Sequence, residues 1–214
     1  MPETTVKTTN SPITTLKNLR HKASLHEITQ NDRIKAAAGS IAGTAAALFA
    51  LKKMQNAKNI FSLKYELKDT LILTASAVSG GVAGGAIGET KEAKIHKLKE
   101  GVFQFFNTAL LAAFVALTAK FSEQNKLSLP AKLGLVVSSI IAGAYTSVGV
   151  SNAICDPFDK EPDRKLTMKD FAASADDLAG ALVMAKLPFA DKLPLDKFLP
   201  VIYAYCGYRA GESN

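Results

Sequence analysis

Residues 70–88, TLILTASAVSGGVAGGAIG, run for nineteen positions without a charged side chain. Within them Ser76, Gly80, Gly84 and Gly88 recur every four residues, and Ala77, Gly81 and Gly85 form a neighbouring row. Residues four apart share a helix face, so each row is a groove that admits another backbone. An interior glycine costs a helix up to about 1 kcal/mol against alanine. Five in nineteen positions therefore call for a packing reason. The stretch predicts a helix built for close approach, at a length near the roughly 17–25 residues that cross a bilayer core.

Three further stretches share the absence of charge. Residues 36–51, 101–119 and 133–155 are 16, 19 and 23 residues long. Strongly apolar side chains contribute about −0.3 to −0.6 kcal/mol each at a membrane centre. The 101–119 stretch has nine, including Phe103, Phe106, Leu110 and Phe114, and 133–155 also has nine, including Leu135, Val137, Ile140 and Ile141. The 70–88 stretch is diluted by glycine, and 36–51 is rich in alanine. Between them lie lysine-rich segments at 52–69, 89–100 and 120–132, read as polar connectors. The expected fold is all-α: a polytopic helical membrane bundle of four spans in two hairpins, followed by a C-terminal helical hairpin. The rival is a soluble or peripheral helical bundle whose central helices are apolar all round, acting as a partner-binding module.

The small-residue theme extends beyond 70–88. Gly39 and Gly43 mark the first stretch, and Ser139, Gly143 and Ser147 mark the fourth. With Ser76, Gly80, Gly81, Gly84, Gly85 and Gly88 these are the candidate helix-packing residues. The Ser76/Gly80/Gly84/Gly88 face is the expected oligomerisation surface. A shift of 62 aligns Leu71 with Leu133, Ser76 with Ser138 and Gly81 with Gly143, and a shift of 66 aligns Ala47, Ala113 and Ala179. These coincidences suggest tandem helical hairpins near 35–89, 101–155 and 170–211.

The domain reading has four parts. Residues 1–32 are expected to form a polar, Thr-rich, disordered tail without the apolar core of a signal peptide. Residues 33–155 form the four-helix bundle, 156–169 an acidic connector, and 170–214 a helical hairpin lying on the surface, packed on the bundle or re-entrant. In its first half, Phe171, Leu178 and Leu182 share a face with Asp176 and Asp177 in the middle. Each aspartate costs about 2.5–3.5 kcal/mol at a membrane centre, so this helix does not insert alone. Asp176 and Asp177 are the candidate ion or proton site, since ionisable residues at membrane depth usually serve transport. The second half offers eleven uncharged residues, 198–208, about 16 Å of helix.

Other chemistries are poorly provided for. Asp159, Glu161, Asp163 and Asp170 fall at calcium-loop spacing, but Arg164 occupies the position that requires glycine. The three histidines, His21, His26 and His96, form no metal-binding motif, and His96 reads as a loop residue. Cys155 and Cys206 read as free thiols. No metal, cofactor or acid–base pair is expected, and the chain is read as non-enzymatic.

Composition completes the picture. The formal charge is +7 and mean hydropathy only +0.10, because polar segments dilute the apolar stretches. The lysines are spread over every connector, which disfavours nucleic-acid binding. The expected partners are the lipid bilayer and a second copy or another membrane protein. Segments 1–35, 89–100 and 156–169 carry 14 Lys and Arg, against eight in 52–69 and 120–132. The positive-inside rule then favours an integral membrane protein with a cytoplasmic N-terminus. The leading functional expectation is a scaffold, assembly factor or small pore.

Overall fold

A computed structural model describes residues 28–158 and 195–213, which are helix and turn with no strand among them. Among the described residues there are five α-helices: α1 (Gln30–Met54), α2 (Leu67–Gly85), α3 (Lys91–Gln124), α4 (Leu129–Cys155) and α5 (Leu195–Glu212). A short 3-10 turn, Ile60–Ser62, sits between α1 and α2. Three of the five, α1, α3 and α4, are long and apolar enough to cross a membrane. Helix α2 is not among them, since Lys68 and Asp69 in its first turn and its Gly, Ser and Thr content lower its hydropathy.

The helix ends are written into local sequence. Thr29 caps α1 through a reciprocal pair: Asp32 N donates to Thr29 Oγ1 at 3.3 Å, and Thr29 N donates to Asp32 Oδ2 at 3.1 Å. At the other end Asn56 adopts φ +50°, with Ala57 N returning to Lys52 O. Lys126 does the same after α3 at φ +48°, with Leu127 N returning to Ser122 O. Both are left-handed C-terminal motifs that satisfy the last carbonyls of a helix.

The structure corrects the expected polar connector at 89–100. Thr90 caps a helix there, accepting from Ala93 N at 3.2 Å, so residues 91–100 form the first turns of α3. His96, read as a loop residue, lies on this helix. The lysines that suggested a connector alternate with Ala93, Ile95 and Leu98, a spacing equally suited to a helix end leaving an apolar layer. At 34 residues α3 is about 51 Å long, well beyond a bilayer core. The bundle also begins earlier than expected, at Gln30 rather than residue 33.

Adjacent helices along the chain run antiparallel from α1 to α4. Cys155 Sγ lies 3.9 Å from Lys99 O, placing the end of α4 beside the start of α3. Helix α5 runs parallel to α2, with Gly207 beside Ala77 and Gly211 beside Gly81. The molecule therefore has a tail end, where α1 begins and α5 finishes, and a loop end, where the α1–α2 and α3–α4 turns lie. Helices α4 and α5 both point to the tail end, so Cys155 and Leu195 stand at opposite ends. The apolar core is thin: Ala47, Leu73, Ala77, Leu199 and Tyr203 form one cluster, and Leu111 with Val115 a second.

Small residues define where helices touch, and the glycines divide into two kinds. A Cβ on Gly80 would collide with Gly39 O and lie 3.1 Å from Gly43 Cα, whereas nothing lies within 4 Å of one on Gly134 or Gly149. Gly80→Ala is expected to destabilise by about 1–3 kcal/mol through forced separation of the backbones. Gly134→Ala and Gly149→Ala are expected to stabilise by up to about 1 kcal/mol through helix propensity. Thermal unfolding of the purified variants distinguishes these signs.

Candidate functional site: a glycine-lined helix triad closed by a buried lysine

Helix α2 presents its two small-residue rows to two different neighbours. The Ser76/Gly80/Gly84 row faces α1. A Cβ on Gly39 would strike Gly80 O and stand 3.0 Å from Gly84 Cα, and one on Gly84 would strike Lys35 O. Ser76 Oγ donates to Gly43 O at 2.7 Å, tying the lower part of the same seam. The Ala77/Gly81/Gly85 row faces α5. A Cβ on Gly81 would strike Gly207 O, and one on Gly85 would stand 2.8 Å from Gly211 Cα. Ser40 Oγ closes the third side by donating to Ala204 O at 2.5 Å. Three helices thus meet at backbone contact, held by hydroxyl-to-carbonyl bonds and dispersion rather than by large side chains.

Two sequence expectations change here. The Ser76/Gly80/Gly84 face is covered by α1 of the same chain, so it is not open to a second copy. Gly88 lies beyond the end of α2 and adopts φ +83°, in the turn toward α3. A Cβ there would meet only Lys35 Nζ, at 3.7 Å. Its glycine serves a left-handed turn and not helix packing.

The remaining packing candidates line the α3–α4 seam. A Cβ on Gly143 would lie 2.8 Å from Leu111 Cα. Ser147 Oγ lies 2.7 Å from Ala144 O and 3.2 Å from Asn107 Oδ1, two acceptors for its one proton, and Ser139 shares a short hydrogen bond with Thr118. To this second seam α3 contributes a buried polar side chain, Asn107.

The strongest polar feature lies outside every sequence expectation. Lys97 on α3 is fully buried, at 0% exposure. Its Nζ donates to Gly211 O and Ser213 O, each at 2.9 Å, and lies 3.5 Å from Glu89 Oε1. These carbonyls belong to the last turn of α5 and the residue after it, where a helix leaves acceptors unsatisfied and carries partial negative charge. A lysine ammonium has three donors, and three acceptors surround it. Two further ties bind the same end. Arg33 Nε pairs with Glu212 Oε1 at 3.1 Å, and Lys35 Nζ reaches Asp32 Oδ1 and Ile87 O, both at 3.1 Å. The start of α1, the end of α2, the start of α3 and the end of α5 are thereby joined at one point.

What the sequence could have shown differs between these residues. Gly207 and Gly211 obey the same four-residue spacing as Gly81 and Gly85, so the α5 contact was readable. The role of Lys97 was not, since nothing local separates it from Lys91, Lys94 and Lys99. Asp176 and Asp177 lie outside the described residues. So do the acidic positions Asp159, Glu161, Asp163 and Asp170. Among the described residues no three His, Cys, Asp or Glu side chains gather to hold a metal ion. Cys155 and Cys206 are not joined in a disulfide, and Cys206 is buried. No family model, curated protein or solved structure matches the chain.

The geometry holds helices together; its lysine donates to two fixed carbonyls and is ion-paired with Glu89. Removing the ammonium while leaving Glu89 buried is expected to cost about 3–5 kcal/mol, as for other broken buried pairs. Lys97→Met should therefore lower the unfolding temperature sharply and speed proteolysis near the end of α5. Lys97→Met combined with Glu89→Leu should recover part of the loss, though not the two carbonyl bonds. If the double variant unfolds at the same temperature as Lys97→Met, the Glu89 pairing is not what makes the single variant unstable.

Proposed function

We propose that this protein is a small integral membrane protein that acts as a non-enzymatic scaffold or assembly factor. The observation that carries the reading is the outer surface of α1 and α4. Ile41 and Phe49 on α1 are 62% and 67% exposed, and on α4 Leu133, Val137, Ile141 and Tyr145 form an exposed row at four-residue spacing. No charged residue interrupts α1 between Lys35 and Lys52, or α4 after Lys132. Apolar faces this continuous are rare on soluble monomers and suit lipid. Helix α2 reaches the same depth between α1, α3 and α5, although its own composition falls short of a span. Its shielding supports a bundle of four spanning helices, α1 to α4, joined by α5 as a further crossing.

Between scaffold and pore, the packing favours the scaffold. The α1/α2/α5 triad is closed by backbone contact, which leaves no lumen along its axis. The rival soluble bundle would have to hide the α1 and α4 faces against a partner. Membranes washed with alkaline carbonate should retain the protein in the pellet; release with the peripheral fraction would overturn the integral reading. The helix directions add a second expectation. Because Arg33 of α1 contacts Glu212 of α5, tags placed before Thr29 and after Ser213 should be cleaved by protease from the same side of sealed vesicles.

A further inference from the structure

The two ends of the bundle differ in how their charges are used. At the tail end Arg33, Lys35 and Lys97 are each paired with a carboxylate, and with Lys91, Lys94, Lys99 and Arg209 the described cations number seven against six carboxylates, Asp32, Glu89, Glu92, Glu100, Asp156 and Glu212. At the loop end the α1–α2 connection carries Lys52, Lys53, Lys58, Lys64 and Lys68. The α3–α4 turn adds Lys120, Lys126 and Lys132. None of these eight has an ion pair among the described residues, and of the carboxylates described at this end Glu66, Asp69 and Glu123 oppose them. Asp69 is itself buried, its Oδ2 accepting from Glu66 N at 3.1 Å to cap α2. Beside these lysines Phe49, Met54, Phe61 and Phe121 are all more than half exposed. Apolar rings beside uncompensated lysines describe a surface at the boundary between acyl chains and headgroups.

We infer that the loop end is a contact surface for anionic phospholipid headgroups, a proposal that rests on the membrane reading above. Each lysine near an anionic surface adds to the attraction, which salt screens over a Debye length. Lys58 and Lys64 flank the Phe61 turn, so the rings reach into the acyl boundary while the ammonium groups remain at phosphate level. Around the tail end the same headgroups meet a surface where described cations and carboxylates nearly balance.

The absence of tryptophan makes the test direct, because a single introduced indole has no background. Phe61→Trp reports on the loop end and Ile34→Trp on the tail end, both side chains being exposed. The full chain is reconstituted in phosphatidylcholine vesicles containing brominated phosphatidylglycerol or brominated phosphatidylcholine, and quenching gives the relative affinity beside each indole. The expected result is a preference for phosphatidylglycerol of several-fold at the loop-end indole and near unity at the tail-end indole. Lys58→Gln, Lys64→Gln and Lys68→Gln together should bring the loop-end preference close to unity, as should high salt. Equal preference at both reporters, or a loop-end preference that survives the three substitutions, overturns the proposal while leaving the membrane reading in place. Quenching by neither lipid at either reporter overturns the membrane reading, and the headgroup contact with it.

Discussion

The contact on which the fold depends is the one α2 makes on two sides at once. A helix whose neighbours touch it through carbonyls and Cα atoms cannot carry side chains on those faces. Gly80 and Gly84 meet α1, and Gly81 and Gly85 meet α5, so two adjacent rows on one cylinder are consumed. Rows displaced by one residue point about 100° apart, which sets the angle between the two partner helices around α2. The triad geometry follows from that displacement. What remains of α2 for α3 is the face with Val78 and Val82, against which Gly101 packs.

This arrangement explains a composition that otherwise looks unfavourable. Glycine and serine lower both helix propensity and hydropathy, and α2 falls short of the apolarity of a spanning helix by its own residues. Its neighbours compensate by removing its surface from the surroundings. In a bilayer, where lipid tails compete equally with apolar side chains, close packing and interhelical hydrogen bonds are the forces left to hold helices together. The bonds from Ser76 to Gly43 and from Ser40 to Ala204 are of that type.

Legibility in the sequence tracked the range of the physics. Periodic spacing of small residues and freedom from charge are local properties, and they located α1, α2, α4 and the apolar half of α3. The other half of α3 was hidden because lysine density suggests a connector, whereas Thr90 and the spacing of Ala93, Ile95 and Leu98 suit a helix end. Helix α5 was underestimated for a related reason. Its eleven uncharged residues measure what lies between charges, while the helix continues through Arg209 and Glu212, and Glu212 is paired with Arg33. Lys97 lies beyond local reading altogether: its acceptors are Gly211 and Ser213, more than a hundred residues away.

The same pairing separates two meanings of charge that a sequence count merges. Under the proposed membrane reading, a lysine and arginine count bears on how a chain is threaded during insertion. The finished bundle presents a different distribution. Three tail-end cations are held by carboxylates, one of them entirely out of solvent, and the other four described there, Lys91, Lys94, Lys99 and Arg209, share that end with Glu92, Glu100 and Asp156, so its charges nearly balance. The loop-end lysines keep their fields. A threading signal and a lipid-facing potential can therefore reside at opposite ends of one protein, because the first is read before the helices meet and the second only after ion pairs have formed between them.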